Sequence, residues 1–409
     1  MTSLEDVATV QINPELESDF DPMTPEFTAD QHKALKALRE KTPVAYSSNW
    51  GGFWALTRRA DIIKAARNHT ELINSQLHVV PSGLAGNSRP LMHSDQPEHT
   101  LYRDVVQKVL GNEELRERVI AQVRNRAKEL VASIAARGEG DLSTEYADPL
   151  MGFAITSIFN IDEVDGDEMD QTVRNYVIGG QVREAERMQA ASAKLVAITE
   201  NLLADRRANP RNPENDLATA LVQAQAAGIL TDEEKIMGAQ RQPLVVVWLA
   251  TSHTLTNIFR RLLTDHELHA TLRANPELIA DSVDEFLRMD QPQIGFARST
   301  TVEMEFGGRT IPAGAPVALV FPAANRDPEA FEDPETFIIG RSPNPHLAFG
   351  HGIHGCPGKG IARGMVQVAI EELIKGTAGF ELTIPEADIP NEHWPFRSSL
   401  SLPVAASAR

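Results

Sequence analysis

Residues 349–363 constrain this chain more than any other segment. They hold the only cysteine in 409 residues, Cys356, with five glycines in eleven residues (350, 352, 355, 358 and 360) and the histidines His351 and His354 just upstream. Glycines let a backbone lie close against something flat, and a thiolate is a strong metal ligand. Pro357 suits a first helical turn, and helical periodicity returns from Ile361, so the thiol sits just ahead of a helix. The free N–H groups and dipole of such a helix favour a thiolate. Backbone N–H groups of the glycine turns are suited to point at the sulfur and tune a bound metal. Three readings compete. A structural buried cysteine does not explain the glycines. A zinc site from His351, His354 and Cys356 would crowd three ligands into six residues with no second cluster. A single axial thiolate under a planar cofactor explains the thiol, the glycines and the helix start together.

A lone cysteine excludes any internal disulfide and any zinc-finger array, and it suits a reducing compartment. The net charge of −18 argues against general nucleic-acid affinity, which needs a basic surface. No run of about twenty apolar residues is available to span a membrane. The N-terminus lacks the basic start and apolar stretch of a signal peptide, so a cytoplasmic location is expected. Residues 1–25 are acidic, contain proline, and predict an irregular lead-in. Apolar residues at three- and four-residue spacing predict helices over 101–110, 114–136, 190–207, 232–264 and 361–375. Residues 297–322 alternate like short strands around a Gly-Gly hairpin. Residues 325–348 hold four prolines and no clear period, so they predict an ordered meander. The last 30 residues read as short strands around Trp394. No composition break marks a linker, so 1–409 is expected as one domain, mainly α with a small β-rich part.

The motif Phe349-Gly-x-Gly-x-His-x-Cys356-x-Gly358, led in by His-Leu-Ala-Phe-Gly at 346–350, resembles the haem-binding signature of the cytochrome P-450 superfamily at every defining position. The soluble bacterial members are the most similar. The resemblance implies haem b held between a long distal helix and a proximal thiolate loop, with Cys356 as the iron ligand. It extends along most of the chain. Glu285-Phe-Leu-Arg288 is similar to the family's structural Glu-x-x-Arg helix, whose spacing puts both charges on one face. Thr336 stands where many relatives carry an arginine, and Arg341 is the candidate to complete that charge network. His99 and Arg103 share a helix face four residues apart. With Arg298 and His354 they occupy positions that in the family meet the two haem propionates.

The distal helix departs from the pattern. Most relatives carry an acid–threonine pair there, which relays protons to iron-bound dioxygen. Residues 244–257 here read Leu-Val-Val-Val-Trp-Leu-Ala-Thr-Ser-His-Thr-Leu-Thr-Asn, with no acid at all. Matching by pattern puts His253 in the acid's place and Thr254 in the threonine's. Matching by spacing from the flanking segments puts the pair at Leu249 and Ala250, and this register is favoured. Ala250 and Thr254 lie one turn apart on one face, so Ala250, Thr251 and Thr254 are the distal candidates in either register. Helix back-bonding by the hydroxyls is the plain alternative.

The resemblance places substrate contacts near 77–84, 176–192, 293–296 and 396–400. Val79, Val80, Leu84, Trp248, Ile294, Phe296 and Leu400 are the apolar candidates, and they suit a small apolar or aromatic molecule. Arg183 and Arg187 are expected on a solvated face. An acidic ferredoxin is the implied electron donor, docking near Lys359 and Arg363. About 50 residues follow Cys356 and no further cysteine is available for a cluster, so the donor is expected to be a separate protein. The expected activity is insertion of one oxygen atom into a small organic substrate. The missing acid keeps two others in view: a haem-thiolate enzyme of atypical chemistry, peroxide-driven or isomerase-like, and a haem-binding sensor without turnover.

Overall fold

Long amphipathic stretches and capped ends produce the helices. In the computed structural model, which describes residues 17–18, 20–76, 79–80, 89–181, 184–392 and 396–408, the helices begin with α1 (Pro25–Ala29), α2 (Gln31–Lys41), α3 (Arg59–Arg67), α4 (Glu98–Leu110) and α5 (Glu113–Arg137). They continue with α6 (Asp148–Phe159), α7 (Gly166–Gln181), α8 (Ala185–Ala208), α9 (Leu217–Ala226) and α10 (Glu233–Thr264). The last four are α11 (His266–Ala274), α12 (Leu278–Asp290), α13 (Phe321–Ala324) and α14 (Lys359–Gly376). Asn112 starts α5 by accepting from the Leu115 N–H at 2.8 Å, and Gly138 ends it in the left-handed region at φ 79°. Asp232 caps α10 in the same way, through the Lys235 N–H at 3.1 Å. All five helices expected from periodicity are present, with ends moved by at most five residues.

Strands form a smaller part. β1 (Glu17–Ser18), β2 (Val44–Ser47), β3 (Phe53–Leu56) and β4 (Leu72–Ile73) join two later strands, β6 (Phe296–Thr300) and β9 (Pro316–Leu319). Together they make a six-stranded sheet in the order β1-β2-β3-β9-β6-β4. β5 (Glu139–Asp141) pairs with the C-terminal part of the chain, described below, and β7 (Met304–Phe306) and β8 (Arg309–Ile311) form the Gly-Gly hairpin. Gly307 and Gly308 turn it with φ of 53° and 74°, as the sequence predicts. β10 (Thr377–Leu382), β11 (Asn391–Glu392), β12 (Ser398–Ser399) and β13 (Pro403–Ala408) complete the set, β13 lying between β10 and β5. The lead-in is not irregular throughout: β1 pairs parallel to β2, Glu17 opposite Tyr46. Two residues joined by backbone bonds leave no side-chain period to read. Trp394 lies outside the described residues.

The main core packs α5, α6, α10 and α14 around Val119, Val123, Tyr146, Phe259 and Ile370. Burying such side chains contributes roughly 1.5–3 kcal/mol each. α5 and α14 approach closely because Gly364 lies under Ile120, where any Cβ would collide. That approach fixes the start of α14, and with it the loop carrying Cys356, relative to α10.

Candidate active site

Residues 349–358 form a tight loop whose backbone bonds close on themselves. The Cys356 N–H donates to Phe349 O at 2.7 Å, Gly350 N–H to Leu347 O at 2.9 Å, and Gly355 N–H to Gly352 O at 3.1 Å. Gly350 and Gly352 adopt φ of 69° and 71°, which a side chain would strain. Gly352 also lies against Ala66 O of α3, with no room for a Cβ. Burial pushes the Cys356 thiol up, while the Gly358 N–H, Arg103 and Lys359 pull the other way. The thiolate expected from the helix start is therefore not favoured by the polypeptide alone: desolvation outweighs the N–H and the two cations.

This loop is one wall of a cavity whose lining includes Phe349, Cys356, Pro357 and Gly358. From α10, Ala250, Thr251 and Thr254 line the same cavity, with Val246 beside them. Val246 is 39 % exposed on a helix that is otherwise largely buried. Both registers of the distal helix thus put their alcohol or alanine at the cavity. Thr254 Oγ1 donates to Ala250 O at 2.7 Å, so its proton is held by the helix itself. His253 does not stand in for the missing acid. It is buried between the rings of Trp248 (5.7 Å) and Phe396 (6.1 Å), and burial pushes it down to about 3. Among the described residues, no carboxylate lines the cavity.

Four further residues converge at its edge. The rings of His99 and His354 pack at a tilt of 53° with centroids 4.2 Å apart. Arg103, on the same face of α4 as His99, donates to Gly355 O in the thiol loop and to Gln107 Oε1 at 2.8 Å. Arg298 comes from β6 and is buried, donating to Ala297 O at 2.8 Å. Burial pushes His99 down to about 4 and His354 to about 3, helped by Arg103 and by Arg298 respectively. Arg298 falls to about 10 from burial, opposed by Asp95. Three segments far apart in sequence, carrying His99 and Arg103, Arg298, and His354 and Cys356, therefore meet around one space.

A family model matches residues 176–404 of the chain, and its description is cytochrome P450, written P-450 here. The chain belongs to this family. It is 33 % identical over 318 residues to the mycinamicin IV hydroxylase/epoxidase of Micromonospora griseorubida, covering 77 % of this chain and 79 % of that one. It is 31 % identical over 398 residues to the nocardicin C N-oxygenase of Nocardia uniformis subsp. tsuyamanensis, covering 92 % and 95 %. Among solved structures, the bacillaene polyketide synthase cytochrome PksS of Bacillus subtilis 168 superposes with a TM-score of 0.84 at 26 % identity, covering 95 % of this chain and 100 % of that one. The protein is thus a bacterial-type cytochrome P-450, a haem-dependent monooxygenase.

The residues present fit haem. The cavity has a thiol on one wall and apolar side chains on the other. At its edge, His99 Nε2 is buried with no hydrogen-bond partner. The Arg298 guanidinium is buried, donates to a backbone carbonyl, and is raised only by the charge of Asp95. Both are groups that an anion would satisfy.

The apolar candidates fare less well. Phe296 lines the cavity. Trp248 does not: its indole N–H turns away to Asp170 Oδ1 at 2.7 Å, a partner no local pattern shows. Val80 and Ile294 lie in a core cluster with Phe27 and Phe53, Val79 is buried, and Leu400 is 38 % exposed. Leu84 and Arg183 lie outside the described residues. Arg187 is tied to Asn175 at 3.0 Å and to Glu184 at 3.3 Å. Sequence reasoning missed Gln242, Pro243 and Gln291, which line the cavity with Gln293. Pro243 inside α10 was a legible signal, since proline leaves one helical carbonyl without its N–H. Among the described residues no helix is long and apolar enough to cross a membrane.

Proposed function

We propose that Cys356 would hold the haem iron through its sulfur, and that the protein hydroxylates or epoxidises a small, largely apolar organic substrate with electrons from a separate ferredoxin. The observation that carries this reading is the placement of Cys356 and of Ala250, Thr251 and Thr254 on the walls of a single cavity. The haem iron supplies the activation of dioxygen and the insertion of one oxygen atom. The chain's own groups do the rest. The loop fixes the sulfur, and metal coordination takes the place of the thiol proton that burial otherwise retains. His99, neutral at neutral pH, serves as an N–H donor to a propionate; neutral His354 gives its N–H to Leu91 O and packs against His99, and Arg103 and Arg298 serve as the charges. Val246, Val247 and Phe296 pack the substrate, while the Gln242 and Gln293 amides orient it. Lys359, exposed beside the thiol loop, marks the docking face for an acidic donor in the cytoplasm. Arg363 is a weaker contributor, because Asp284 already holds it at 2.7 Å.

Replacing Arg298 with leucine removes a buried charged donor worth about 1.5–3 kcal/mol. Haem transfer to apomyoglobin should then be roughly tenfold faster or more. Retention equal to wild type would remove Arg298 from the propionate site.

A second reading is favoured by one observation, the absence of a carboxylate from the cavity lining among the described residues. In that reading the enzyme works with peroxide alone. Turnover of a substrate that displaces the distal water decides between them. With ferredoxin, reductase and NADH, product should form with NADH consumption. Product from hydrogen peroxide only, with none from the reduced partners, would overturn the monooxygenase reading in favour of the second.

A further inference from the structure

The far face of α10 carries what the cavity face lacks. Ser252 Oγ donates to Asp148 Oδ1 at the start of α6, and Trp248 Nε1 donates to Asp170 Oδ1 of α7. Ser252 and Trp248 are one turn apart, so both carboxyls hold the same face of the distal helix. Ala250 and Thr254 lie on the opposite face. α6 and α7 meet tightly here, because a Cβ on Gly152 would come within 2.6 Å of Asp170 Cβ. Asp148 and Asp170 are both nearly buried, at 4 % and 7 % exposure. Asp170 lines a cleft between α5, α6 and α7 that opens to solvent beside Arg126, Arg137 and Asp167. Asp170 thus joins the face of α10 behind the cavity to an open cleft.

Burial pushes the Asp148 carboxyl up to about 7, with the Ser252 hydrogen bond lowering it, Asp170 raising it, Arg174 at 3.6 Å lowering it and Asp141 raising it. Burial likewise pushes Asp170 up to about 6, against the Trp248 hydrogen bond and Arg174 and with Asp167. A carboxyl kept in this state is costly in the folded protein above neutral pH. Asparagine would make the same acceptor bond to Ser252 without that cost, so structural packing alone does not account for an acid here.

We propose that Asp148, with Asp170 beside it at the outer cleft, links proton exchange to the position of α10, acting on the cavity wall through Ser252 in place of a carboxylate on the helix itself. They are positioning residues. A helix moves as a unit, so a change in the clasp at Ser252 shifts Ala250, Thr251 and Thr254 together. The proposal rests on haem occupying the cavity. The red-shifted Soret band of each variant's carbon monoxide adduct checks that point separately.

The test is the infrared stretch of carbon monoxide bound to the reduced holoenzyme, followed from about pH 5 to about pH 9, a window that spans the raised carboxyls. Wild type should show a two-state titration near neutral pH. Asp148→Asn should lock the stretch at its acid-side position at every pH. Ser252→Ala should remove the pH dependence, although Asp148 still titrates. Asp170→Asn should move the midpoint down, because a negative neighbour is lost. A pH-independent wild type, or Asp148→Asn and Ser252→Ala variants that titrate as wild type does, would overturn the proposal. Thermal stability gives a second readout. A raised carboxyl contributes stability that is fully present below its unfolded value and lost as pH rises to the folded one. Asp148→Asn should therefore melt higher than wild type at pH above about 8 and equally at about pH 4. A variant less stable at both values would show Asp148 to be a paired anion, and the linkage would fail.

Discussion

Cys356→Ser should abolish the red-shifted Soret band of the reduced carbon monoxide adduct completely, along with turnover. The loss is total because the band reports a sulfur anion on iron, and a serine hydroxyl is far too weak an acid to replace it. The fold should survive. The loop is closed by the backbone bonds of Cys356 to Phe349 O and of Gly355 to Gly352 O, neither of which uses the sulfur. The four residues at the cavity edge are also untouched, so haem should still bind. Cys356→His makes the point from the other side: it should keep haem and give an imidazole-type adduct without the red shift. Two outcomes would defeat the assignment. One is a wild-type spectrum from either variant. The other is a wild-type protein whose adduct lacks the red shift. The chain holds no second cysteine to take over, so neither result has an alternative sulfur to explain it.

The proximal side was legible because its chemistry is local. A thiol, its turns and its helix start lie within fifteen consecutive residues. The residues that the resemblance assigns to the propionates came from motif positions, and the structure brings His99, Arg103, Arg298 and His354 close together. The Gly-Gly hairpin and the long helices followed from period and turn chemistry. The distal side was less legible for a physical reason. α10 is buried on nearly all faces, so apolar and polar positions do not sort into a cavity stripe and a core stripe. Trp248 looks like a cavity wall in sequence, yet it spends its N–H on Asp170, 78 residues away. His253 looks like a substitute acid, and only its burial between two rings shows it to be neutral. Asp148 and Asp170 sit in ordinary helical contexts. Their meaning comes from three helices packed together, which no single stretch records. Arg341 is the contrasting case: motif spacing alone pointed to it, and it reaches Glu285 at 2.9 Å.

That contact belongs to the charge network whose loss should cost the most stability. Glu285 and Arg288 form a doubly hydrogen-bonded pair at 2.8 Å with both side chains fully buried. Arg288 also donates to the carbonyls of Asn325 (2.8 Å), Pro334 (2.7 Å) and Thr336 (3.1 Å). Glu285 accepts from the Ile338 N–H at 2.9 Å and from Asn344 at 3.1 Å. Residues 325–348 make no helix or strand, so these bonds are what orders the segment leading into the thiol loop. Arg288→Ala strands a buried carboxylate and three carbonyls, and breaking such a pair costs about 3–5 kcal/mol. Against a total of about 5–15 kcal/mol, that should leave little protein able to hold haem at 37 °C. Arg288→Lys should do almost as badly, because an ammonium cannot span a carboxylate and three carbonyls as a planar fork does. Arg341→Ala should cost less, since Glu285 keeps Arg288. Burial pushes the Glu285 carboxyl up, but Arg288, the Ile338 N–H and Arg341 outweigh it and hold it below the usual carboxylate range. Its contribution is therefore present above the ordinary carboxylate value and lost as pH falls through the depressed one. Urea unfolding midpoints at neutral pH should rank Arg288→Ala lowest, then Arg288→Lys, then Arg341→Ala, and the gap to wild type should narrow in acid. A lysine variant with the wild-type midpoint and haem content would show that charge alone, without the fork, orders the meander.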